Sequence, residues 1–327
     1  MKKMRILSLF WHSVESDVIP LDYLDGSNPT TSMFREQVKF VLSHYNSVSI
    51  IEFLELLRNP DAGHSTHKAP VLLGFDDGFK NVMTNALPIL NEFNIPAVFF
   101  VTGEILRNPD FVPWFVEVKH LMRWAMHQTI VYRDTKFHLV SPQDCTKLQA
   151  LLNLSIQACR SETERQRLLT YCANLLGVDR PAAPDLDDDL RFVSKEDLAE
   201  LGSSSLLTVA SHAMTHRHLG SLTYEEQLHE LEQSDTLLRQ HCPSYYPIVA
   251  YPSGSFNTDT ISIATHTYAA GFATFLGASY RNPYAYPRIG VNQDTVQELA
   301  YAVSPQRLNY LLPLKRALHS SGILRGR

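Results

Sequence analysis

Short apolar runs recur along the chain, and most of them end in a polar cluster. Residues 5–11 form the first run, followed by an irregular polar stretch through Pro29. Residues 32–45 instead carry Phe34, Val38, Val41 and Leu42 on one face, which is helical spacing. Residues 47–50 read as a short strand ahead of a helix over 51–57, and 59–68 as a loop rich in Gly, Pro, His and Ser. Val71-Leu72-Leu73-Gly74-Phe75 is a buried-strand signal that runs straight into Asp76-Asp77-Gly78. Residues 81–93 read as a helix and 97–101 as the next strand. Strand, helix and strand in this rhythm predict βαβ units and a parallel sheet.

The rhythm breaks from about residue 106 to 190. Trp114, Val118, Leu121, Met122 and Ala125 recur at helical spacing, and 129–140 alternates like a small hairpin around Arg133-Asp134. Ser141-Pro142 starts a helix, and a second helix ends at Gly177. A Pro- and Asp-rich loop over 180–189 closes the stretch. We read it as a mostly helical insertion in one domain spanning 1–327. The rhythm resumes at Ser194, which caps a short helix ending before Gly202. Residues 206–210 are a strand leading into Ser211-His212, and Thr223-Tyr224-Glu225-Glu226 is a capping box for a helix to about Gln240. Ile248-Val249-Ala250 leads to Tyr251-Pro252-Ser253-Gly254, and further strands are expected near 271–275 and 288–291. Seven or eight mostly parallel strands, each usually followed by a helix, favour a (β/α) barrel over an open sheet.

Composition narrows the class. A net charge of −5 argues against a nucleic-acid binder, which would carry a basic excess. The four cysteines, Cys145, Cys159, Cys172 and Cys242, show no C-x-x-C spacing, so neither a cysteine-zinc site nor a disulfide scaffold is expected. Reduced thiols fit a cytoplasmic protein. No apolar run reaches the ~18 residues of a membrane span. Lys2 and Lys3 before an apolar run resemble a signal peptide, but the run stops at Trp11-His12 without a small-residue cleavage site, so it is read as a strand.

Three polar clusters follow expected strands: Asp76-Asp77, His212 to His216, and Tyr251 to Gly254. Barrels of parallel strands carry their active sites at those C-terminal ends. Adjacent carboxylates at the end of an apolar strand resist joint ionisation, and a cation relieves the cost. Strand alternation would turn one aspartate to a metal and the other elsewhere; Asp-Asp-Gly is equally ordinary turn chemistry. His212 and His216, at i and i+4 on a helical turn or tight loop, aim two imidazoles at one point, whereas His218 would point elsewhere. Two histidines and a carboxylate form a common zinc donor set. A pair of structural histidines is the alternative.

These motifs together resemble the polysaccharide deacetylases, the NodB-homology carbohydrate esterases. Gly74-Phe75-Asp76-Asp77-Gly78 is similar to their first motif, Thr-Phe-Asp-Asp-Gly. Ser211-His212-Ala213-Met214-Thr215-His216 followed by Leu219 is similar to the second, His-Ser/Thr-x-x-His. Ala250-Tyr251-Pro252-Ser253-Gly254 resembles the third, Arg-x-Pro-Tyr-Gly. Leu9-Phe10-Trp11-His12-Ser13-Val14 resembles the opening strand of many members. The resemblance covers roughly residues 5–105 and 190–291. It implies a distorted (β/α) barrel and metal-dependent removal of acetyl groups from sugars. It also implies Asp77, His212 and His216 as ligands of one divalent cation, and Asp76 as general base. Zinc is the first choice for that cation, although cobalt, nickel or iron suits the same donors. The loop Tyr251, Pro252, Ser253 and Gly254 would contact the substrate and supply an oxyanion N–H.

The chain departs from the pattern twice. Ala250 stands where the family carries an arginine that orients the base; Arg288, at the start of a late strand, is the candidate replacement, with an ordinary strand-end ion pair as the alternative. The late Leu-x-His motif that carries the general acid is missing. His266 and His319 are poorly placed, so His12, at the end of the first strand, is the candidate acid. Trp11, Phe79, Tyr251 and Phe256 are candidates for stacking on sugar rings, or core. The basic tail from Lys315 to Arg327 would suit a peripheral contact with an anionic membrane, or be a solvated terminus. The expectation is a metal-dependent deacetylase acting on an N-acetylated sugar of a glycan, polysaccharide or lipid-linked precursor. A non-catalytic, metal-stabilised carbohydrate-binding relative is the alternative, and a ureide-type amide hydrolase is the third option.

Overall fold

A computed structural model describes residues 6–17, 28–59, 68–125, 128–159, 161–202, 206–274, 282–292, 295–304 and 306–308. Arg5, the loop residues 60–67, Phe275 and the basic tail from Lys315 with His319 lie outside them. By its internal contacts the chain divides into two compact units, one holding residues 26–107 and 192–327 with the N-terminal strand, the other holding 108–191.

The first unit is a closed ring of parallel strands. β1 (Leu7–Trp11) is followed by α1 (Thr31–His44), β2 (Tyr45–Ser47), α2 (Ile50–Arg58) and β3 (Ala69–Phe75). Then come α3 (Leu87–Phe93), β4 (Ala97–Val101) and α4 (Glu104–Arg107). The ring runs β1, β3, β4, then three further strands from beyond residue 206, and a last one at Tyr286–Gly290 that returns to β1. It thus closes through seven strands, with β2 paired to the start of β3. This is the distorted (β/α) barrel expected.

Every residue of β1 and of β4 is buried, as strands covered on both faces require. The inner face is read by alternation. Leu72, Val98, Phe100, Ala210, Ile248, Ala250, Phe272 and Tyr286 pack with Phe53 and Leu54 of α2 in one cluster. Phe53 lies 5.4 Å from the Phe272 ring and 5.0 Å from Tyr286, so α2 closes the end where the strands begin. Chemistry is left the opposite end.

Two local readings need correcting. The strand expected over 47–50 ends at Ser47, because Ser49 is an N-cap whose hydroxyl accepts from the Glu52 N–H and Ile50 is already helical. The helix expected over 81–93 opens with a wide π turn, Val82–Ala86, before α3. Pro88 explains it: proline lacks the N–H that would bond four residues back.

The second unit has its own core. α5 (Trp114–Trp124), the hairpin of β5 (Thr129–Tyr132) and β6 (Thr135–His138), α6 (Pro142–Gln157) and α7 (Glu162–Leu176) bury Val118, Leu121, Phe137, Leu148, Leu152, Leu169 and Leu176 together. Arg133 and Asp134 both take positive φ at the hairpin turn, and Gly177 ends α7 in the left-handed region.

Back in the first unit, α8 (Lys195–Leu201) precedes β7 (Leu207–Ser211), α9 (Tyr224–His241), β8 (Tyr245–Ala250) and α10 (Thr258–Thr267). β9 (Ala270–Thr274), β10 (Tyr286–Gly290) and α11 (Val296–Ala302) complete it. All four cysteines are free thiols; burial pushes Cys172 up to about 11 and Cys242 up to about 12, which keeps both protonated. Among the described residues no helix is long and apolar enough to cross a membrane.

Candidate active site

The aspartate pair leaves β3 in a tight turn. The Asp76 N–H donates to the Trp11 carbonyl at 2.9 Å, and the Gly78 N–H returns to the Asp76 carbonyl at 3.0 Å. Asp77 has φ 76° and Gly78 φ 101°. The positive φ favours glycine at 78, and a Cβ there would also press on the end of the Ile105 side chain at 2.8 Å. Turn chemistry and a polar site are therefore the same object, and the turn, not strand alternation, sends the two carboxylates apart.

Asp77 faces the loop after β7. His212 Nε2 lies 3.3 Å and His216 Nε2 3.2 Å from Asp77 Oδ1. The two imidazole centroids are 5.1 Å apart. His212 and His216 sit on a loop, not a helix: Ala213 and His216 take φ 58° and 57°. Left-handed backbone costs a non-glycine residue roughly 1–2 kcal/mol, so the surroundings must hold it. His212 Nδ1 lies 2.8 Å from the Ala250 carbonyl. A carbonyl only accepts, so Nδ1 carries the proton and Nε2 is the nitrogen left facing Asp77. All three groups are buried. Burial alone would push the Asp77 carboxyl up; the adjoining His212 and His216 side chains, with the charges of His216 and His12, hold it well below the usual carboxylate range.

Asp76 turns the other way, to Arg288. Alternation from Tyr286, which packs on the α2 plug, places Arg288 inward and one step nearer the open end. Its two terminal nitrogens donate to Asp76 Oδ1 at 2.8 Å and Oδ2 at 2.7 Å, a planar fork on a carboxylate. The guanidinium lies over Phe10 at 4.3 Å and Phe100 at 5.0 Å. Arg288 is only 3% exposed, as is Asp76.

His12 follows β1, next in register to the Asp76 turn, half-buried, with its ring 5.5 Å from Phe10. Its charge reaches Asp77. His266 is on the exposed side of α10, bonded to its own helix.

The loop after β8 is narrower in its offering than its motif suggests. Tyr251 is fully buried, and its hydroxyl donates to the Tyr284 carbonyl at 2.7 Å. Its ring therefore presents no face to a sugar. The Tyr251 N–H donates to Phe272 and the Gly254 N–H to Tyr251, and Pro252 has none. This leaves the Ser253 N–H as the loop's candidate oxyanion donor. Gly254 has φ 66°, and a Cβ there would strike Thr274. Trp11 is also fully buried, its indole N–H donating to Gln37 at 2.9 Å, and Phe79 stacks on Phe192 at 4.8 Å. Of the four aromatics, Phe256 is half-buried beside Tyr251.

His218, expected to point elsewhere than His212 and His216, has Nε2 3.0 Å from the Ser253 hydroxyl, joining the second and third motif loops. Glu230 escaped the sequence reading: on α9 it is buried under the histidine loop and accepts from the Met214 and Thr215 N–H groups. The available signal was a polar stripe, Gln227, Glu230 and Ser234, at helical spacing on the buried side of α9.

Among the described residues, Asp77, His212 and His216 offer ligand atoms that all lie within 4.8 Å of one another. The donor set fits a divalent cation: one carboxylate that stays ionised and an imidazole whose tautomer is fixed by a backbone carbonyl.

Comparison with known proteins follows the same residues. The family model for polysaccharide deacetylase matches residues 63–139 and 181–270, just over half of the chain. The match takes in both aspartates, both histidines and the loop after β8, and leaves out His12 and Arg288. Poly-beta-1,6-N-acetyl-D-glucosamine N-deacetylase of Escherichia coli (strain K12) is 31% identical over 104 residues, 32% of this chain. The chain spans only 15% of that relative's length. Among solved structures, the Streptococcus pyogenes deacetylase PplD in complex with acetate superposes with a TM-score of 0.60 at 17% identity, covering 93% of this chain and 100% of that one. A polysaccharide deacetylase from Bacillus cereus gives 0.56 at 15% identity, covering 92% and 69%. These likenesses in fold cover nearly the whole chain. With the aspartate turn and the histidine loop set at the C-terminal ends of the barrel strands and the family model matched across both, the chain belongs to the polysaccharide deacetylase family.

Proposed function

We propose that the protein is a metal-dependent carbohydrate deacetylase that hydrolyses the acetamido group of an N-acetylated sugar, with zinc as its resident cation. The observation that carries the reading is the division of labour in the aspartate turn. Asp77 converges with two imidazoles while Asp76, one residue away, is gripped by Arg288. The E. coli relative, a poly-N-acetylglucosamine deacetylase by name, supports N-acetylglucosamine units as the substrate class.

Asp77, His212 and His216 would hold the cation, which when bound supplies Lewis-acid polarisation and a more acidic water. Asp76 accepts the proton of the attacking water. Arg288 holds that carboxylate in one orientation through its two bonds. The Ser253 N–H stabilises the oxyanion that develops on the acetyl oxygen. The C–N bond then breaks, acetate leaves, and His12 protonates the sugar amine. A buried Arg–Asp pair costs desolvation that a binding module has no reason to carry, which weighs against the binding-only alternative.

The test is acetate release from β-1,6- and β-1,4-linked N-acetylglucosamine oligosaccharides, with O-acetylated xylan as comparison. Acetate with a matching free amine from the N-acetyl substrates is expected. Release from the ester alone, or binding without release, would overturn the reading. The role of His12 has its own outcome. His12→Gln should lower kcat on the amide by about 10²-fold or more, the usual weight of a general acid. Hydrolysis of 4-nitrophenyl acetate, whose leaving group needs no proton, should change little. Equal losses on both substrates would remove His12 from the acid role.

A further inference from the structure

We infer that Glu230 is a positioning residue: it holds the His212–His216 loop in the shape that aims both imidazoles at Asp77. The inference rests on the metal-site reading above and extends it to a side chain on a helix that touches neither the cation nor substrate.

The loop is improbable backbone. Ala213 and His216 both have positive φ, although neither is glycine. Such a segment persists only if its surroundings over-determine it. Its carbonyl side is fixed at the start of α4, where the N–H groups of Gly103, just before the helix, and Glu104 donate to the Ala213 and Met214 carbonyls at 3.0 and 2.8 Å. Its amide side is fixed by Glu230. One carboxylate oxygen accepts from the Met214 N–H at 3.0 Å and the Thr215 N–H at 2.8 Å, and the other from the Thr215 hydroxyl. Glu230 is 2% exposed. A buried carboxylate is expensive, and an apolar side chain would fill the same place on α9 without that cost. Three donors from one short loop account for its presence. Ser234, one turn on, meets Ser211 at 2.8 Å, and the Ser211 hydroxyl accepts from the Ala213 N–H at 3.2 Å. The third polar residue of the stripe, Gln227, is equally buried but bonds Leu222 and Thr260, away from the loop. It is a natural control.

The experiment measures zinc affinity of the full chain by competition with a chromogenic chelator, together with thermal stability of the metal-free protein. Glu230→Ala should weaken zinc binding about 10–100-fold, the usual effect of removing a partner behind a metal ligand. Glu230→Gln should lose less, since its carbonyl oxygen still accepts from the two amides. Thr215→Val should lose affinity too, and add little to Glu230→Ala, because the hydroxyl contact it removes is already lost with the carboxylate. Gln227→Ala should lose stability but keep wild-type affinity. Wild-type affinity in Glu230→Ala, or an equal loss in Gln227→Ala, overturns the inference. If Glu230→Ala does not fold, unchanged affinity in both Glu230→Gln and Thr215→Val overturns it. A wild-type protein that binds no zinc, or an Asp77→Ala variant that binds it normally, would instead bring down the metal-site reading itself.

Discussion

Asp76→Asn should lower kcat for N-deacetylation by about 10²–10⁴-fold and leave the zinc content of the purified protein unchanged. Asparagine keeps the shape of the side chain but takes no proton from water. It also disturbs no metal donor, since Asp77 turns to His212 and His216 while Asp76 turns to Arg288. Elemental analysis and turnover on the same sample separate the two roles. Turnover near that of the wild type removes Asp76 from the base role. Loss of zinc along with turnover would mean that the two aspartates share one site.

Arg288→Met should be the most destabilising single change at the site. Arg288 and Asp76 are each 3% exposed, and removing one member of a buried pair typically costs about 3–5 kcal/mol. The methionine stem would still pack on Phe10 and Phe100, so the loss reports the stranded carboxylate more than a cavity. Adding Asp76→Asn to Arg288→Met should therefore recover part of the stability without recovering turnover. Arg288→Lys keeps a charge but lacks the fork that meets both oxygens, and its turnover should fall about 10–100-fold, as for other partners behind a reacting group. Denaturant unfolding of the single and double variants decides the matter. Equal stability of Arg288→Met and the double variant would show that the pair carries no such coupling.

Arg288 was legible as a candidate because it stood at the start of an expected strand when the third motif offered Ala250 instead. The missing motif arginine also named Asp76 as its partner, but how two residues 212 apart in sequence meet was not legible, since only ring closure brings them together. That closure is invisible to periodicity: β1 and β3 look like any two buried strands, yet they pair from Leu7↔Val71 to Trp11↔Phe75 and also bring His12 beside the aspartate turn. The apolar runs themselves were easy to read, because strands buried on both faces admit little else. The motif loops were harder. Nothing in Ser211-His212-Ala213-Met214-Thr215-His216 marks two non-glycine residues for positive φ, and the carboxylate that braces them arrives from α9. Tyr251 left two readings open, a sugar platform or core. Its hydroxyl found the Tyr284 carbonyl and its ring is buried, which is the core reading.

Acetate release by metal-stripped protein during stepwise addition of zinc tests the central claim most directly. With a chitooligosaccharide substrate, the rate should be near zero without metal and rise linearly to one equivalent of zinc. It should then level off, and the Asp77→Ala variant should stay flat throughout. Full activity after stripping, or no acetate at any zinc level, would contradict the account.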